Sequence, residues 1–404
     1  MKSYLKEKGT KGMAWKERTV EQMREEFARR VLAQEKSKAA LCREYGISRP
    51  TGDKWLARYQ EGLSLADRSR APLTQPNRTN SATEELIVQY RKVYPAIGAT
   101  KLHRMLENEG IQDLPCPRTF NNIFHRHGLI EKEASLAATP THRFEKSQPN
   151  EMWQGDFKGH FRMNNGFRCY PLNILDDHSR FGLCVDALHG ETFQEVKPSF
   201  ERIFREYGLP FSFLCDNGNP WGTSQSVGYT QFEVWLMELG ILTIHGRPLH
   251  PQTQGKEERF NRSFTRECLK GKQFDDLAHA QKCFDEYRKF YNEKRPHSAL
   301  DLEVPKSCYR PSDRKMPERI EDWEYGPEYQ LCKVKDSGYF NYRGQGYFLS
   351  EAFRGKTIAI RESHLPGQVT LVFRQFRIAR IDLEKGAYTL RKIYRLEGDP
   401  RGNV

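Results

Sequence analysis

A chain of 404 residues with a formal net charge of +12 is long enough for two to four domains and basic enough to expect a polyanionic partner. A mean hydropathy of −0.80, with no apolar run near the roughly 18 residues that cross a bilayer, argues against a membrane protein. The lysine-rich first residues lack the apolar stretch of a secretory signal, and nine singly placed cysteines without a C-x-x-C pair suit a reducing cytoplasm and no structural zinc.

From Val20 to about Gln34 the pattern predicts a charged helix with Met23, Phe27 and Val31 as its buried stripe. Ser37 to Gln60 then reads as two helices. One runs from Lys38 to Tyr45 and stops at Gly46; the next is started by Ser48, with Pro50 in its first turn. Cys42, Gly46-Ile47-Ser48 and Trp55 fit the spacing of a helix-turn-helix, whose second helix enters the DNA major groove. Arg49, Thr51, Lys54 and Arg58 are therefore expected to face phosphates or base edges. The plainer alternative is a helical hairpin with solvated cations. Gly52 stands where an apolar residue is more usual. This domain is placed at 1–70, followed by a polar linker from Arg70 to Ala82. A second all-helical, helix-turn-helix-like DNA-binding domain is placed at 83–131, with Arg118 opening its last helix. Its histidines His103, His125 and His127 lack a cysteine pair and are expected at the surface or facing nucleic acid.

The character changes at 148–275. EMWQGDFKGHFRM and GFRCYPLNILDD read as strands joined by the hairpin turn Asn164-Asn165-Gly166, and RFGLCVDAL as a third strand. A helix from Glu191 to Tyr207, the buried strand FSFLCD, a helix from Phe232 to Leu239, the strand ILTIHG and a helix after HPQTQG complete an α/β pattern of the ribonuclease-H type. A helix and Pro-rich linker occupy 276–317. Short glycine-broken strands at 320–396 predict a small five-stranded β-barrel with a basic surface. The fold class is thus multidomain: all-α units, a central α/β core, then a β-barrel.

Asp156 lies mid-strand, Asp216 ends a buried strand, and Glu257 and Glu258 open a helix. Acids converging on one point repel by about 4 kcal/mol per pair at roughly 4 Å and an effective dielectric near 20, so such a trio implies a cation site. Two Mg²⁺ (or Mn²⁺) ions on hard oxygens suit phosphoryl transfer. Each acid also has a plain role: Asp216 capping its turn, Asp156 pairing with Lys158, the glutamates favouring a helix N-terminus. Asp176 and Asp177 sit in a tight turn where Asp bonds backbone, and are left out of the site. No Ser–His–Asp arrangement or P-loop is present, so no nucleotide cofactor is expected.

The order WQGDFK, FLCDNGNPW and HPQTQGKEERFNRSF resembles the catalytic core of DDE transposases and retroviral integrases. It is most similar to bacterial insertion-sequence transposases of the helix-turn-helix plus integrase-core type, such as the insertion sequence 481 group. YNEKRPHSALDLEVP resembles the tail that follows that core. The likeness runs from Ser37 to Pro305. It implies that Asp156, Asp216 and, in the G-x-x-E element, Glu258 hold the ions. Glu257 is the fallback, because periodicity sets it nearer the Phe260 and Phe264 stripe. The interval from Asp216 to Glu258 exceeds the family's usual one, with the excess around Trp221 to Tyr229, and the zinc-binding module of retroviral integrases is absent. The resemblance further implies cleavage of element-end DNA by metal-activated water and attack of the freed 3′-hydroxyl on target DNA. Lys256, Arg259 and Arg262 would hold DNA backbone, and His250, Gln252 and Gln254 would form the loop meeting the substrate end. A homo-oligomer, at least a dimer on double-stranded DNA, is expected in the bacterial cytoplasm at the nucleoid. A DNA-binding regulator with a degenerate core and a ribonuclease-H-like nuclease are the alternatives.

Overall fold

The computed structural model describes residues 19–67, 78–130, 145–222, 228–246, 255–363, 365–390 and 394–396. Two compact units divide the chain near Arg78. In the first, α1 (Val20–Leu32), α2 (Lys38–Glu44) and α3 (Arg49–Gln60) are each started by a side-chain cap, from Thr19, Ser37 and Ser48. Phe27, Leu41, Cys42 and Trp55 are buried, while Met23 of the expected stripe is 39% exposed. Gly52 makes the close packing possible: a Cβ there would lie 2.7 Å from Cys42 Sγ and 3.0 Å from Phe27 Cζ. The missing side chain is what lets the helices close.

The second unit begins with α4 (Ser81–Val93), α5 (Ala99–Asn108) and α6 (Pro117–Arg126), packed around Ile87, Leu102, Phe120 and Phe124. His127 is exposed, as expected, and its Nε2 lies 2.9 Å from Glu84, which Arg126 also binds at 2.7 Å. His103 tilts against Phe120 with centroids 5.3 Å apart. His125 is exposed, as expected.

The central sheet is built from β1 (Met152–Phe157), β2 (Phe161–Arg162), β3 (Arg168–Asp176), β4 (Gly182–Leu188), β5 (Ser212–Cys215) and β6 (Leu242–His245). β1 is antiparallel to β3 on one side and parallel to β5 on the other; β4 flanks β3 and β6 flanks β5. Two helices, α7 (Phe193–Tyr207) and α8 (Gln231–Glu238), bury Phe200, Phe204, Phe232 and Trp235 with Trp153 and Phe213 of the sheet. The opposite layer is α9 (Gly255–Phe264), widening into a π-helical turn at Thr265–Leu269, and α10 (Leu277–Glu293); there Phe260, Phe264 and Phe284 meet Leu175 and Val185. This helix–sheet–helix sandwich is the expected ribonuclease-H arrangement. Tyr94 stacks on Phe290 of α10 at 5.1 Å, and Arg104 pairs with Glu303 at 2.8 Å, joining the helical domain to this layer.

The C-terminal region corrects the barrel expectation. Among the described residues, its strands β7 (Gln330–Lys333), β10 (Thr357–Glu362), β11 (Gln368–Phe373), β12 (Phe376–Asp382) and β13 (Ala387–Leu390) form an open sheet with β14 (Tyr394–Arg395) on β12, and β8 (Tyr339–Tyr342) pairs with β9 (Gln345–Phe348) alone. Closure is replaced by cover. Ile358, Leu371, Phe376 and Ile378 share a core with Val234 and Met237 of α8 and Leu242 of β6, so the apolar face is buried without β13 meeting β7.

Candidate active site

The parallel ladder of β1 and β5 pairs Met152 with Ser212, Trp153 with Phe213 and Gln154 with Leu214. Continued two residues, that register brings Asp156 level with Asp216, just past the end of β5. Gly155 allows the approach, since a Cβ there would lie 2.4 Å from Phe213 Cζ. The Asp156 carboxyl is pushed up to about 6, by burial first and by the charge of Asp216 second. One side chain donates to it: Asn261 Nδ2 of α9, at 3.0 Å to Oδ2. Asn173 on β3 donates in turn to Asn261 at 2.5 Å, so a buried amide relay ties strand and helix together. Asp216 accepts from the Gly218 amide at 2.9 Å.

His245 holds the backbone at this point. Its Nδ1 donates to the Asp216 carbonyl at 2.9 Å and its Nε2 reaches Glu233 at 3.0 Å. Burial opposes the charged ring, but the Glu233 hydrogen bond and Asp216 outweigh it and raise its pKa. Neither His245 nor Asn261 was marked by the sequence. The one signal was position: each lies on an element already carrying, or flanking, an acid.

The two helix glutamates diverge. Glu257 is 2% exposed, and burial followed by the charges of Asp156 and Asp216 drives its carboxyl well above the carboxylate range; its Oε1 has no hydrogen-bond partner among the described residues. Glu258, a helical step of about 100° away, is exposed. It lines a cavity of about 450 Å³ with Asp156, Lys158, Asn261 and Arg262. Among the described residues, no three His, Cys, Asp or Glu side chains converge closely enough to hold an ion unaided.

Asp176 has the turn role expected of it, whereas Asp177 reaches out of the turn to groups on other segments. Asp176 accepts from the Asn150 and Ser179 amides and the Ser179 hydroxyl. Asp177 accepts from the Lys146 amide at 2.8 Å, from Gln154, and from Lys256 at 2.5 Å. Lys256 is therefore bound to the protein, whereas Arg259 and Arg262 are exposed on α9. His250, Gln252 and Gln254 lie outside the described residues. In the first unit Arg49 and Lys54 are exposed, and Thr51 bonds Ser48 at 2.8 Å in the helix cap. Arg58 departs from expectation: only 9% exposed, it lies over Trp55 and donates to the Ala66 carbonyl, because the indole it must cover is on its own helix one turn back. Arg118 is exposed in the first turn of α6.

Four family models match the chain: a helix-turn-helix domain over residues 23–72, an integrase core domain over 146–251 and again over 239–305, and an IS481 family transposase C-terminal domain over 329–389. An insertion element IS407 protein of 31.7 kDa from Burkholderia multivorans is 27% identical over 57% of this chain and 82% of its own length. The transposase for insertion sequence element IS904 of Lactococcus lactis is 22% identical over 59% of this chain and 96% of its own length. Among solved structures, a chain of the simian T-cell lymphotropic virus intasome in complex with PP2A regulatory subunit B56 gamma is 17% identical, covering 71% of this chain and 91% of that one at a TM-score of 0.34.

Proposed function

Because the chain belongs to the insertion-sequence transposases that carry a helix-turn-helix domain and an integrase core, we propose that it is a DDE polynucleotidyl transferase. It binds the double-stranded ends of its element, cuts them, and joins the freed 3′-hydroxyls to target DNA in the bacterial cytoplasm. One observation carries this reading: Asp156 stands level with Asp216 where the adjacent parallel strands end, and the charge of Asp216 raises the Asp156 carboxyl more than Lys158 lowers it. All donors here are hard carboxylate oxygens, the set that suits Mg²⁺ or Mn²⁺. Two such ions, when bound, would neutralise developing phosphate charge and activate the attacking oxygen.

Asp156, Asp216 and Glu258 would hold the ions. Glu258 is favoured as the third ligand because it shares an open cavity with Asp156, where a DNA strand can enter. Asn261 engages one carboxyl oxygen of Asp156 and so orients the carboxylate. His245 fixes the Asp216 backbone and Arg259 and Arg262 meet the backbone phosphates. A second reading makes Glu257 the third ligand, favoured by its closeness in charge to both aspartates. Two ends need two sites, hence at least a dimer on DNA.

The test is Mg²⁺-dependent nicking of a labelled duplex taken from the DNA flanking the gene. Asp156→Asn and Asp216→Asn should each lose about a thousandfold or more while binding is retained. Glu258→Gln should match them and Glu257→Gln should not; the reverse selects the second reading. Nicking untouched by either aspartate substitution would return the chain to a DNA-binding regulator.

A further inference from the structure

A second imbalance of charge lies beside the carboxylate site. A cavity of about 630 Å³ opens between α5 and α6 of the helical domain on one side and α9 with the segment 291–299 on the other. Its walls carry Lys101, Arg180, Arg259, Arg262, Arg266 and Arg295. The acid lining it, Glu267, is fully engaged by Arg295 at 2.8 Å. Lys101, Arg259, Arg262 and Arg266 have no ion pair among the described residues. Arg180 is 6% exposed; its Nη2 pairs with Glu145 at 3.1 Å, but its buried Nη1 has no partner among the described residues.

A buried guanidinium nitrogen without an acceptor is costly, so an acceptor supplied from outside would be favoured there. The neighbours feel the same excess. Lys101 is pushed down to about 8 by burial and by Arg295 and Arg259, against the pull of Glu267. His297 is held neutral, its pKa pushed down to about 2 by burial and then by Arg295, Lys101, Arg180 and Arg259. Planar guanidinium forks are the groups that grip phosphate oxygens.

From this geometry we infer that the cavity binds the phosphates of an unpaired nucleotide strand. The volume takes a ligand of about drug size, which is one or two nucleotides and not a duplex. Arg262 and Arg266 also line the smaller cavity that holds Asp156 and Glu258. A strand with its reacting phosphate at Asp156 therefore continues into the cationic cavity once it leaves its complement. This inference rests on the reading of the carboxylate site as a DNA-processing centre, and adds to it a separate strand-holding site formed jointly by the helical domain and the core.

The test uses the full chain in EDTA, with fluorescein-labelled, 5′-phosphorylated tetrathymidylate and a blunt random duplex as probes. Lys101→Gln should weaken tetrathymidylate binding about tenfold and leave the duplex within about twofold, while Lys101→Arg retains both. Equal effects on both probes, or none, would overturn the inference, as would inorganic phosphate displacing the oligonucleotide as well as an unlabelled copy does. Asp156→Asn should bind tetrathymidylate normally. Failure of the catalytic reading would appear as retained nicking in Asp156→Asn, a result independent of the Lys101 outcome.

Discussion

The sheet carries two pairs of aspartates with opposite fates. Asp176 and Asp177 are surrounded by donors: three hydrogen bonds from Asn150 and Ser179 to the first, and the Lys146 amide, Gln154 and Lys256 to the second. Among the described residues, Asp156 and Asp216 receive one side-chain amide, from Asn261, and two backbone amides, from Phe157 and Gly218. Burial raises Asp176 as well as Asp156, so a raised carboxyl does not mark the functional acid. What separates the pairs is unused acceptor capacity. A structural carboxylate is saturated by its own chain, and a binding carboxylate keeps lone pairs for something that arrives later.

The largest effect should come from breaking the saturated pair. Asp177→Ala leaves Lys256, Gln154 and the Lys146 amide without their shared acceptor, in a place where Asp177 is fully buried. Chemical denaturation should show a loss of about 3 kcal/mol or more. Retained stability would mean that water can replace Asp177 there. Next in size is Gly155→Ala, where the added methyl meets Phe213 at 2.4 Å. Overpacking of this kind costs about 1–3 kcal/mol. Because the strand must shift, nicking should fall further than stability does.

Much of this was legible in the chain, and the failures share a cause. Periodicity located the helices and the strand carrying Asp156, and the Phe260 and Phe264 stripe showed which way Glu257 turns. The amide relay through Asn173 and Asn261 was not legible, because each Asn acquires its role only when β3 and α9 meet over β1. His245 is the same case, made by Glu233 on another element. The open C-terminal sheet looked like a barrel because alternation reports one buried face without saying what buries it; here α8 does. Arg58 misled because a basic residue on a recognition helix reads alike whether it faces DNA or covers a tryptophan.

The unsaturated pair should respond in the opposite direction. Asp156 is raised from an ordinary 3.8 to about 6, so the folded state holds a proton that the unfolded chain releases between those values. Below about pH 4 both states are protonated and nothing is lost. As pH climbs from 4 to 6 the fold loses stability, and above 6 the loss is complete. In EDTA at pH 7.5, Asp156→Asn should therefore raise stability by about 1–2 kcal/mol, with no gain at pH 4. Urea unfolding at the two pH values measures this. A destabilised Asn variant at pH 7.5 would place Asp156 with the structural acids.

The same distinction extends to cations, with the smallest expected effect. Arg58 is satisfied within the fold: it covers the Trp55 ring at 5.0 Å and donates to Ala66. Arg49 is exposed at the start of the same helix. Arg58→Gln should lower the stability of the first unit by about 1 kcal/mol and leave the salt dependence of end binding unchanged. Arg49→Gln should leave stability unchanged and reduce the salt slope by about one ion. Binding titrations across a range of NaCl, run beside thermal unfolding, separate the two. If Arg58→Gln reduces the slope as Arg49→Gln does, then satisfaction inside the fold does not keep a cation from DNA, and acceptor or donor capacity ceases to be the criterion.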